Sequence, residues 1–201
     1  MIDDIDTLVD GMGNSLDRAL QHYWPVANPE RNGLQEANLT YHFAAQCLAA
    51  GLYVYPEASH GQISDGHKRV DLLVRGSIGS QNASIIVESK KLFSSEKAAS
   101  MAGDIEKING FVFPDLPPPN EPVYGLLLAI TENPENAEWW DQPYECGIDS
   151  WDFLMKSLAR MKAVTRVLSI KAKRPQFILT AIYQRDVAGP MGFRQIGATR
   201  K

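Results

Sequence analysis

Three strand-like runs follow one another between Leu52 and Lys90, and they constrain the fold more than any other feature. They are Leu52–Glu57, Lys68–Arg75 and Ala83–Lys90, joined by the turn-rich segments Ser59–His67 and Gly76–Asn82. A parallel return needs a crossover of about a dozen residues or more, usually a helix. Short turn-rich loops therefore predict an antiparallel meander, with Ser59–His67 as a hairpin loop. A helix over about Ser95–Phe111 comes next, N-capped by Ser94 or Ser95. Pro114–Pro122 holds five of the twelve prolines and is expected as an extended loop. The uninterrupted apolar run Val123–Thr131 then reads as a buried strand, which the helical crossover allows to lie parallel to its neighbour.

The flanks extend this pattern. The first ~20 residues suit an amphipathic helix using Ile5, Leu8, Val9, Leu16 and Leu20, despite the helix cost of Gly11 and Gly13. Tyr23–Asn32 is a connector. Leu34–Ala50 reads as a helix on Leu39, Phe43, Ala44, Cys47 and Leu48, stopped at Gly51. Residues 132–147 are irregular or carry one short helix. Ser150–Leu168 reads as a helix and Gln176–Gln184 as a last strand. A basic tail begins at Gly189. The expected class is α/β (α+β), one domain over 1–201 with a mixed sheet and flanking helices.

Two of the central strands carry chemistry. In Lys68–Val74, Val70, Leu72 and Val74 share one face and Asp71 takes the other. In Ser84–Leu92, Glu88 and Lys90 share a face, their Cα atoms about 6–7 Å apart, while Ser89 points away. Two apolar strands that each bring one acid, one of them followed by a lysine, point to metal-dependent cleavage of a phosphodiester.

Other chemistries find less support. No apolar run approaches the ~20 residues that span a bilayer, and the acidic start Met1–Asp6 is unlike a targeting peptide, so a cytoplasmic location is expected. Cys47 and Cys146 lack zinc or redox spacing, and Cys47 falls among core positions. His60 and His67 flank a loop without metal-ligand spacing. No nucleophile elbow or glycine-rich phosphate loop is present. Net charge is −4, but residues 1–155 hold 9 Lys/Arg against 23 Asp/Glu, whereas 156–201 hold 11 against one. In the Ser150–Leu168 helix, Phe153, Leu154, Leu158, Met161, Val164 and Leu168 form one face. Lys156, Arg160, Lys162 and Arg166 form the other, a surface for nucleic acid or a plain solvated face. Trp139, Trp140 and Trp151 read as core or loop anchors.

The order helix, three strands, helix, strand, with Asp71 on the second strand and Glu88-Ser89-Lys90 on the third, resembles the PD-(D/E)XK (restriction-endonuclease-like) nuclease superfamily. The likeness covers about 33–131, leaving an N-terminal helical extension (1–32) and a basic helix-strand extension (150–201). Val70 stands where the motif has proline. The resemblance implies hydrolysis of nucleic acid, DNA first, with Mg²⁺ (or Mn²⁺) held by Asp71, Glu88 and the Ser89 backbone carbonyl. Lys90 would orient or deprotonate the attacking water, and Glu36, on the first core helix, would complete the set or bind a second metal. Lys107, near Asp104 and Glu106 on the following helix, would contact phosphate, against the simpler reading of a solvated helix face. Cutting both strands would suit a homodimer. The alternative is a nuclease fold without catalysis, acting as a nucleic-acid-binding or protein-interaction module in a defence or phage system.

Overall fold

Residues 1–23, 34–59, 69–113, 121–171 and 175–185 are those described by the computed structural model. Among them lie helices α1 (Ile2–Tyr23) and α2 (Glu36–Ala49), strands β1 (Tyr53–Ser59), β2 (Arg69–Ile78) and β3 (Gln81–Lys91), and helix α3 (Ser95–Gly110). Strand β4 (Val123–Thr131), helices α4 (Pro134–Asp141) and α5 (Asp149–Arg160), and strands β5 (Val164–Ile170) and β6 (Gln176–Arg185) follow. The six strands form one mixed sheet in the order β1-β2-β3-β4-β6-β5. The expected meander is present, since β1, β2 and β3 pair antiparallel. So is the crossover, which returns β4 parallel to β3.

All nine residues of β4 are buried, because the sheet is covered on both faces. On one face Leu72, Val74, Ile85, Val87, Leu126 and Leu128 meet Ile5, Val9, Met12 and Leu16 of α1 and Leu39, Phe43 and Cys47 of α2. On the other, Ile86, Leu127, Ala129, Leu179 and Ala181 meet α3, α4 and α5. The N-terminal helix thus supplies a large part of one core layer. Trp140 is fully buried with its indole N–H on the Thr180 carbonyl, and Trp139 packs edge-on against Trp151, so all three tryptophans are packing residues. Burial pushes the Cys47 thiol up to about 12, which suits packing rather than nucleophilic chemistry.

Four expectations need correction. The segment Gly76–Asn82 is not a loop, because the β2–β3 ladder runs out to Ile78↔Gln81 and leaves a two-residue turn led by Gly79 at φ 61°. The helix expected over Ser150–Leu168 ends at Arg160. Its continuation is β5, an edge strand paired with β6 and rich in β-branched residues. The C-terminal part is therefore helix-strand-strand. Val70 belongs to the α3 side, opposite Leu72 and Val74, so β2 does not alternate regularly through Asp71. Leu48 is 61 % exposed and Phe153 is exposed too, rather than facing the core. The hairpin loop with His60 and His67, most of the proline loop and the basic tail lie outside the described residues.

Candidate active site

Strands β2 and β3 part at the acids. Their ladder closes at Leu72↔Val87, one residue short of Asp71 and Glu88. Beyond that point the Asp71 carboxylate replaces the backbone ladder, its Oδ2 accepting the Ser89 N–H at 2.7 Å. The alternation expected along β3 holds. Glu88 and Lys90 turn towards α3, where Lys107 Nζ lies 2.5 Å from Glu88 Oε1 and Lys90 Nζ lies 3.2 Å from Asp104 Oδ2. Ser89 turns the opposite way, its hydroxyl 2.9 Å from that of Thr40 on α2.

Glu36, the first residue of α2, reaches the same strand end from the opposite layer. Its Oε1 accepts the Lys91 N–H at 2.8 Å. Asp71, Glu88 and Lys90 are thus brought together at one strand end, with Glu36 beside them. Asp71 and Glu36 also line an open groove of about 530 Å³ between α2 and β1, walled by Thr40, Tyr41, Leu48, Pro56 and Leu72 among others.

The electrostatics follow from burial. Glu88 is 2 % exposed, and loss of hydration pushes its carboxyl up to about 7, against the pull of Lys107 and with help from the Asp71 charge. Desolvation also raises Asp71, opposed by the Ser89 N–H and by Lys107 and Lys90. Lys90 behaves differently: burial opposes its charge, but Asp104, Glu36 and Glu88 together raise it above the ordinary lysine value. Glu88 Oε1 and Asp104 Oδ2 are buried, and each has a lysine ammonium within hydrogen-bond distance as its partner. Among the described residues, the acids Glu36, Asp71, Glu88 and Asp104 outnumber the lysines Lys90 and Lys107 paired with them.

Thr40 is a residue that sequence reasoning missed, and Asp104 one that it named but left on a solvated helix face. Asp104 is buried among Met101, Ile105 and Ile108, and its place on that apolar stripe of α3 was the available signal. Lys107 is likewise no part of a solvated face, because it is committed to Glu88. Thr40 had no such signal, since only the packing of α2 on β3 sets it beside Ser89.

The C-terminal cations disperse. Lys156 pairs with Glu145 at the surface, and Arg166 sits on β5, where it bridges Asp6 and Asp10 of α1. Arg160 ends α5 and Lys162 lies in the turn that follows. They do not form one helical face.

Among the described residues, no group of three or more His, Cys, Asp or Glu side chains is placed to hold a metal ion. The donor set at the fork is a pair of carboxylates with a nearby backbone carbonyl, a hard-oxygen set of the kind Mg²⁺ accepts while keeping several waters. No helix is long and apolar enough to cross a membrane among those residues. No protein family, curated protein or solved structure matches the chain.

Proposed function

We propose that this chain is a metal-dependent nuclease of the PD-(D/E)XK type, hydrolysing phosphodiester bonds with Asp71, Glu88 and Lys90. The observation that carries the reading is the convergence of these three residues where β2 and β3 part, with burial raising both carboxyls. The order α2, β1–β3, α3, β4, with β4 parallel to β3, supports it.

The residues fit a divalent cation. Buried carboxylates that repel one another gain most from a positive charge between them. Asp71 and Glu88 would hold it, with the Ser89 carbonyl and Glu36 as further oxygen donors. When bound, such a cation offsets phosphate charge and acidifies a bound water. The remaining work falls to the chain. Asp104 fixes the Lys90 ammonium, which is thereby positioned to orient the attacking water and offset developing negative charge. The Ser89 N–H holds Asp71 in one orientation.

One observation favours a second reading. Lys107 already occupies Glu88, so a closed ion-pair network could hold a non-catalytic fold that binds nucleic acid without cutting it. One experiment separates the two. Plasmid, linear and single-stranded DNA are incubated with Mg²⁺ or Mn²⁺, beside Asp71→Asn and Lys90→Ala proteins. A nuclease loses at least about 100-fold in rate in both variants, the range seen when a group stabilising transition-state charge is removed. Binding without cleavage by the wild type supports the second reading, and cleavage equal in all three proteins excludes this site.

A further inference from the structure

Away from the acids, a second cavity gathers positive charge. It measures about 470 Å³ and is lined by Ile2, Asn109, Arg160, Met161, Lys162, Gln184 and Arg185. Three of these are cations, two are amides, and none is an acid. It is distinct from the candidate active site. Arg185 pairs with Val123, which pairs with Ser84, four residues along β3 from Glu88 or about 13 Å at ~3.3 Å per residue.

The cations here are not among those the fold pairs, a state they share with Arg18, Arg69, Lys91, Lys97 and Lys171 among the described residues. Arg75, Lys90, Lys107, Lys156 and Arg166 each have a carboxylate within ion-pair distance. Arg160, Lys162 and Arg185 have no such ion pair among the described residues. Arg185 is half-buried, and its Nη1 donates to the Phe111 carbonyl at 2.7 Å, a neutral acceptor that leaves its charge uncompensated. Asn109 spends its amide on the Met161 thioether at 3.2 Å, a weak acceptor that a better one would displace.

The backbone adds an independent observation. Helices α2 and α5 end in the same motif. Gly51 N–H bonds to the Leu48 carbonyl and Leu52 N–H to the Cys47 carbonyl; Lys162 N–H bonds to the Ala159 carbonyl and Ala163 N–H to the Leu158 carbonyl. This is the Schellman arrangement, whose pivotal residue adopts a left-handed conformation that favours glycine. After α2 that residue is Gly51, at φ 78°. After α5 it is Lys162, at φ 51°. A lysine there carries a conformational cost that glycine would avoid, and what it brings in exchange is an ammonium at the cavity rim.

We propose that this cavity is a phosphate-binding site, in which Lys162, Arg160 and Arg185 take the oxyanion and Asn109 and Gln184 donate to its remaining oxygens. Guanidinium and ammonium groups match phosphate in charge and donor geometry. The volume exceeds one phosphate, so the ligand is a phosphate carried on a larger body. That body is a nucleic-acid backbone or a free phosphorylated compound. The site stands on its own residues and does not depend on the nuclease reading.

The test uses the full chain in EDTA, so that cleavage plays no part. Pyrophosphate is titrated by calorimetry, and a labelled single-stranded oligonucleotide by fluorescence anisotropy. The proteins are wild type, Lys162→Gly, Arg160→Ala and Arg18→Ala, the last removing an exposed cation of α1 outside the cavity. Lys162→Gly is expected to melt no lower than wild type yet to lose about tenfold or more in affinity, the size of one charge-assisted contact. Arg160→Ala loses a similar factor and Arg18→Ala does not. Loss confined to pyrophosphate identifies a free phosphorylated ligand, whereas loss for the oligonucleotide identifies the backbone. No binding of either probe to wild type, unchanged affinity in Lys162→Gly, or an equal loss in Arg18→Ala overturns the proposal.

Discussion

Glu88 is buried with its carboxyl raised from an ordinary 4.5 to about 7, and this has a measurable consequence for the metal-free protein. Between those two values the folded chain holds a proton that the unfolded chain releases. The contribution to stability is therefore full below about pH 4.5 and is lost as pH rises to about 7. Asp71 acts in the same direction. Urea unfolding in EDTA should show Glu88→Gln gaining stability relative to wild type between pH 5 and pH 8. A difference that is flat with pH would show that Glu88 ionises normally. At this scale much of the site was legible. Alternation along a strand put Glu88 and Lys90 on one face, and Asp71 stood out as an acid in an apolar run. Asp104 was only partly legible: its place on the apolar stripe of α3 hinted at burial, but an acid three residues before a lysine also looks like an exposed helix pair. Only the tertiary packing of α3 shows that it faces Lys90.

The elements carry their own test at Gly125, in the middle of β4 and paired with Tyr183 of β6. A Cβ there would overlap the Tyr183 ring, which is fully buried and lies across the glycine. Gly125→Ala should cost about 1–3 kcal/mol through overpacking, and Tyr183→Leu in the same chain should recover part of it. Chemical denaturation of the two single variants and the double variant measures the coupling. Strand β4 itself was evident from nine residues without a charge. The α5–β5 boundary was not, because Leu154, Leu158 and Met161 fit a helix and Leu168 continues the same period. Val164–Ile170 becomes a strand only because β6 offers it a ladder, and a local pattern does not encode that partner. The Lys162 turn hides for the same reason, since helices rarely stop on lysine.

The whole molecule is tied together through its N-terminal helix. Ile5, Val9, Met12 and Leu16 are buried against the sheet, so removing residues 1–23 should expose that layer rather than trim an appendage. The truncated chain is expected to bind a hydrophobic dye and lose its cooperative unfolding transition. A cooperative, dye-silent product would refute this. Arg166 adds a bridge from β5 to Asp6 and Asp10 at 2.9 and 2.8 Å, partly open to solvent. Arg166→Ala should cost about 1 kcal/mol at most, and less in high salt. The charge contrast between 1–155 and 156–201 was visible in the sequence; part of its use, clamping two distant segments together, was not. Among the described residues, β1 is one of the two edges of the sheet. At β1 the chain places Pro56, which lacks an N–H, directly before Glu57, whose φ is 51°. A proline and a left-handed residue side by side break the regular geometry of β1, which makes this border a poorer template for an incoming strand than a regular edge. That disfavours edge-to-edge pairing at a margin where Tyr53 and Tyr55 are exposed.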